Sequence, residues 1–178
     1  MKRATTISVL LPLMTFMSVV AQSESPLALV LKRSLVNRVQ VEGQWVDRLT
    51  PNPETLKPGD ILLEQVEVTN RSERALGKVT VDVPVPVGRE GERITGRAVY
   101  QNGTATPAGT RWSLQFSFDG GKTFGEEPRM KKVQVKSGQQ MIDTWVKVLP
   151  EEYTHVRWII EKLSPKEVLT FGFKAQLK

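Results

Sequence analysis

Apolar residues in this chain recur at every second position, and helical spacing is nearly absent. Val79, Val81, Val83 and Val85 alternate with Thr80, Asp82 and Pro84. Trp112, Leu114, Phe116 and Phe118 alternate with Ser113, Gln115 and Ser117, and Leu169, Phe171, Phe173, Ala175 and Leu177 alternate with polar or small residues. A period of two puts one apolar face inward and one polar face outward, the mark of half-buried antiparallel strands. Ile61 to Thr69 is a further strand, with Leu62, Val66 and Val68 on one face; Ile142 to Leu149 and Val156 to Glu161 are two more. Near the start, Leu27, Leu29 and Leu31 alternate, Val39 and Val41 follow after a kink, and Gly43 turns the segment back through Gln44 to Arg48.

Turn residues separate these runs: Pro51-Asn52-Pro53, Pro58-Gly59-Asp60, Asn70-Arg71-Ser72, Asn102-Gly103, Asp119-Gly120-Gly121, Ser137-Gly138 and Ser164-Pro165-Lys166. Each supplies positive-φ tolerance, a fixed φ or an Asx turn. Short strands with turns at this spacing predict a sandwich or barrel. Pro84 and Pro86 lack the amide a ladder needs, so that strand leaves its sheet there or lies at an edge. The Gly- and Arg-rich stretch from Gly88 to Gly109 reads as a long connection with one short strand, Ile94 to Tyr100.

Ahead of the strands, Met1-Lys2-Arg3 is positive and Ile7 to Ala21 is mostly apolar, ending in small residues. That is the layout of a secretory signal peptide over residues 1–23, with cleavage after Ala21 or after Ser23. Pro12 and the shortness of the run argue against a retained anchor, and no other run is long enough to span a membrane. The expected mature chain thus has a hairpin segment over residues 24–54 and a sandwich over 55–178. Its localisation is the periplasm, the cell envelope or the exterior.

The strand pair beginning Pro58-Gly59-Asp60, passing Asn70 and Ala75 and closing on the valine ladder to Pro84, resembles the DUF11 family. The later segment from Val156-Arg157-Trp158 through Leu163-Ser164-Pro165 to Leu177 is similar to the second half of the same domains. The resemblance implies an immunoglobulin-like antiparallel β-sandwich of a bacterial exported or cell-envelope protein, and it carries no catalytic residues. Glu64 stands where such domains frequently have an aromatic residue, and the chain has one copy where tandem copies are common.

Composition narrows the chemistry. With no cysteine and one histidine, His155, the chain has no disulfide, thiolate nucleophile, zinc-thiolate or multi-histidine metal site. No Gly-x-Ser-x-Gly elbow accompanies His155. The carboxylates Asp47, Asp60, Asp82, Asp143, Glu64 and Glu67 offer no pair that stands out for glycoside hydrolysis. Ser117 to Phe124 matches the Asp-box pattern, which reads as a structural hairpin tied by Asp119. No catalytic residue, metal or cofactor is assigned.

The chain has 25 basic and 19 acidic residues; without Lys2 and Arg3 the balance is 23 to 19, or +4. For an exported chain this suits an anionic envelope polymer or an acidic protein rather than nucleic acid. The densest basic run is Arg129, Lys131, Lys132 and Lys136. It reads first as a lysine-protected strand edge, and second as a contact for an anionic ligand. Trp112 and Trp158 share parity with apolar neighbours and belong to the core. Trp145 is out of register with Val146 and Val148 and faces outward, and Trp45 lies in the early hairpin. The expected function is a non-enzymatic envelope subunit. It binds an envelope or surface-layer protein through a sheet edge or the Gly88 to Gly109 connection. The alternative is a module for a cell-wall polysaccharide or other anionic polymer, using Trp145 and the basic run.

Overall fold

The computed structural model describes residues 25–90 and 93–178, so the expected signal segment lies outside the described residues. Eleven strands run in order: β1 (Leu27–Val41), β2 (Gln44–Pro51), β3 (Ile61–Asn70), β4 (Leu76–Pro84), β5 (Val87–Glu90), β6 (Arg93–Tyr100), β7 (Trp112–Ser117), β8 (Met130–Ser137), β9 (Gln140–Lys147), β10 (His155–Leu163) and β11 (Val168–Leu177). The fold is an all-β antiparallel sandwich. A large sheet has the order β2-β1-β3-β11-β6-β5, a small sheet the order β4-β10-β7, and β8 and β9 form a separate ribbon. It shares the two-sheet architecture of immunoglobulin-like domains, with a strand order of its own.

The alternating runs are what seal the two sheets together. Val66 and Val68 of β3, Val79, Val81 and Val83 of β4, Val156, Trp158 and Ile160 of β10, and Phe171, Phe173 and Ala175 of β11 enter one buried cluster. Trp158 stacks on Phe171 across the interface, with ring centroids 5.3 Å apart. Trp112 meets Phe171 edge-on but is only partly buried, because its indole N–H reaches out to donate to the Pro107 carbonyl at 2.9 Å. Tyr100 joins Phe116 and Phe173 at the other end.

Asn70 ties the turn after β3 to the small sheet. Its buried amide donates to the carbonyls of Arg74 and Ser164, and its oxygen accepts from the Ser72 amide and hydroxyl. Asp60 accepts the Lys57 amide, closing the turn that contains Pro58 and Gly59.

Two details differ from the reading of the sequence. β1 is continuous, with no kink before Val39: it pairs with β3 over its first ten residues and with β2 over its last eight, so two successive ladders hold it straight. The Gly88 to Gly109 stretch contributes two paired strands, β5 and β6, in place of one. That pairing is made by backbone groups, which need no apolar alternation. The basic run lies on a full strand, β8, closed onto β9 through Gly138, whose φ of 64° suits the tight hairpin turn.

Candidate functional site

The two sheets differ in width. Across an antiparallel ladder, directly opposed residues share a face. Leu29 opposes Val68, Leu31 opposes Val66, and Arg33 opposes Glu64. Val66 and Val68 are buried in the core, yet Leu29 and Leu31, on the same face one strand further out, are 52% and 54% exposed. The small sheet therefore stops short of β1. The small sheet has β4 and β7 as its edge strands, and β4 follows β3 through the short connection after Asn70. The large sheet thus carries an apolar overhang at Leu29 and Leu31, and β4 has an unpaired edge among the described residues.

That edge is bracketed by protective features. Lys78 has a φ of 49°, a left-handed residue inside a strand, and the β4–β10 ladder skips a step there. Pro84 ends the strand at the other side. Lysine and proline both discourage edge-to-edge pairing, so the open part of β4 is confined to Val79–Val83. At the base of the overhang Glu64 is buried, and Arg33 donates to its Oε1; its Oε2 has no partner.

The second exposed feature is the β8–β9 ribbon. Its register divides the side chains cleanly. One face carries Met130 opposite Lys147, Lys132 opposite Trp145, Gln134 opposite Asp143, and Lys136 opposite Met141. The other carries Lys131, Val133, Thr144 and Val146, which are partly covered, and Val135 and Ile142 nearer the tip, which are exposed. Of the residues singled out from the sequence, Trp145, Lys132 and Lys136 therefore share one open face, and Trp145 is 64% exposed. Lys131 lies on the opposite face, in an ion pair with Glu152. Arg129 precedes the strand and is occupied elsewhere. Its guanidinium covers the Phe118 ring and donates to Thr123 Oγ1 at 3.0 Å. Lys147 completes the open face and was missed in the sequence, although its two-residue offset from Trp145 carries that signal.

Asp119 is fully engaged by its own turn. Its Oδ1 accepts from the Ser117 hydroxyl at 2.7 Å and from the Lys122 and Thr123 amides, and its Oδ2 accepts from the Thr123 hydroxyl at 2.6 Å. Gly120 and Gly121 both have positive φ, a conformation that side-chain-bearing residues seldom adopt. The Thr123 hydroxyl above all, then the Thr123 amide and the Ser117 hydroxyl, hold the Asp119 carboxyl well below its ordinary value of 3.8. A depressed folded-state pKa stabilises the fold above the unfolded value, and that contribution is lost as pH falls below 3.8 toward the lowered value. In urea unfolding between pH 6 and pH 3, the natural chain should lose more stability on acidification than Asp119→Asn. Equal losses would show that the turn is uncoupled from folding.

His155 contacts the Thr154 hydroxyl at 3.1 Å and meets the Phe124 ring edge-on. The carboxylates considered for hydrolysis are each engaged separately: Asp82 with Arg157, Asp143 with Lys132, Glu67 with Lys32, Asp47 with Lys174, Glu64 with Arg33, and Asp60 with its turn amide. Among the described residues no group of three His, Cys, Asp or Glu side chains is placed to hold a metal ion. No helix among them is long and apolar enough to cross a membrane. Comparison with protein-family models, with curated proteins and with solved structures gave no match to this chain.

Proposed function

We propose that this protein is an exported, non-enzymatic subunit of the bacterial cell envelope. It takes an extended strand of a larger envelope or surface-layer protein onto the edge of β4. Two observations carry this reading: Leu29 and Leu31 are exposed on the core-facing side of the large sheet, and β4 of the small sheet has an open edge at Val79–Val83. A partner strand hydrogen-bonded to β4 would turn alternate apolar side chains onto those two leucines, combining backbone pairing with hydrophobic burial. The bracketing by Lys78 and Pro84 limits such a strand to about five residues, short enough to disfavour open-ended stacking. The DUF11-like spacing and the expected signal segment support the envelope setting.

The test is migration on a native gel after gentle detergent extraction of the envelope, paired with a photo-crosslinking residue at Thr80 on β4. The natural chain should run with a high-mass complex and crosslink to one partner. Leu31→Lys should abolish both results while leaving the circular dichroism spectrum intact. Migration as a free chain, or crosslinking unmoved by Leu31→Lys, would overturn the proposal.

A further inference from the structure

We infer that the open face of the β8–β9 ribbon is a binding site for an acidic polysaccharide, with Trp145 as the stacking platform and Lys132, Lys136 and Lys147 as the cations that meet its carboxylates. This site is separate from the β4 edge and does not depend on it.

The register sets the geometry. Lys132 sits directly across from Trp145; Lys147 lies one row to one side and Lys136 two rows to the other. At roughly 7 Å per two residues of strand, the three lysines span on the order of 20 Å in a line with the indole between the outer two. A line of charge fits a linear chain better than a compact acidic domain. The face has one carboxylate, Asp143, which pairs with Lys132 at 2.6 Å. Lys136 and Lys147 have no acidic partner among the described residues. The opposite face is partly covered at Lys131, Val133, Thr144 and Val146 and open at Val135 and Ile142; Lys131 on it is tied to Glu152, which leaves the free lysines on the face of Trp145.

The exposed indole selects the chemistry of the ligand. A lysine row alone attracts any polyanion. A flat, rigid aromatic surface at its centre adds stacking for a ligand that also has apolar planes, which the carbon–hydrogen faces of sugar rings supply. The ribbon's tip, Ser137-Gly138-Gln139-Gln140, is polar, while Val135, Met141 and Ile142 beside it are exposed and apolar, so an anionic lipid surface is the competing ligand that binding to vesicles separates.

Affinity electrophoresis of the natural chain tests this directly, with polygalacturonate, neutral dextran or inorganic polyphosphate cast into the gel. Retardation is expected in polygalacturonate and not in dextran. Trp145→Ala should weaken it by roughly tenfold, the loss of one stacking platform. Lys136→Glu with Lys147→Glu should abolish it, and Lys131→Gln should leave it unchanged. These positions are exposed apart from Lys131, and circular dichroism checks that each variant is folded. Equal retardation by polyphosphate that Trp145→Ala does not move would reduce the face to a general polyanion contact and overturn the assignment. So would binding to vesicles of anionic phospholipid without retardation by polygalacturonate. None of these outcomes involves β4, so failure here and failure of the strand-addition reading are distinguishable.

Discussion

Truncation of Trp158 to alanine should lower the unfolding free energy by about 3–5 kcal/mol, the range for removing a large aromatic from a packed core. Trp158 is fully buried at the centre of the small sheet. It stacks on Phe171 of the opposing sheet, and its indole N–H donates to the Thr106 carbonyl at 2.9 Å. The truncation therefore opens a cavity between the sheets, breaks an aromatic pair and leaves a carbonyl without its donor. Chemical denaturation followed by circular dichroism reads the effect, since the truncation removes the buried tryptophan and Trp45 and Trp145 are exposed and report little on the core. A loss below about 1 kcal/mol would mean that the sheets can close over the gap, and that packing at this point is not what joins them.

The second large effect is asymmetric. Arg33→Leu should destabilise the protein by about 2–4 kcal/mol, because it leaves the Glu64 carboxylate buried without its cation; the figure is reduced from that of a wholly buried pair since Arg33 is itself partly exposed. Glu64→Leu should leave stability unchanged or raise it by about 1–2 kcal/mol. It exchanges a carboxylate that has one unpartnered oxygen for a side chain matching Leu62, Val66 and Val68 on the same face. Urea midpoints for the two single variants and the double variant give the sign of each change. If Glu64→Leu were as damaging as Arg33→Leu, the ion pair would be a net stabilising contact. The expected asymmetry instead marks Glu64 as a residue kept at the base of the overhang at some cost to the fold.

The strands that pack against the core were legible in the sequence because burial of one face imposes the alternation. The valine ladder of β4 and the aromatic alternation of β7 and β11 are of this kind. β5 was not legible, since its residues pair through the backbone. The continuity of β1 was hidden for a related reason: Leu29 to Leu31 are exposed while Ser34 and Val36 are buried, so no single burial pattern runs along the strand. The overhang depends on the relative widths of two sheets, a property of long-range pairing that no local window contains. The ribbon face was half legible. Parity alone set Trp145 outward, but separating Lys132 and Lys136 from Lys131 and Arg129 required the β8–β9 register. Glu64 could have been placed from its parity with Leu62 and Val66.

The arrangement of β1, β3 and β11 also governs how the domain bears load. β1 enters at the Asn70 end of β3, and β11 leaves at its Ile61 end. Tension applied between the entry and exit points pulls the two outer strands in opposite directions along the central one. All the hydrogen bonds of both ladders then lie across the line of pull and must give way together, as in a lap joint, rather than opening one by one as in a zipper. A module anchored at one end and gripped at the other would thus be suited to hold under traction.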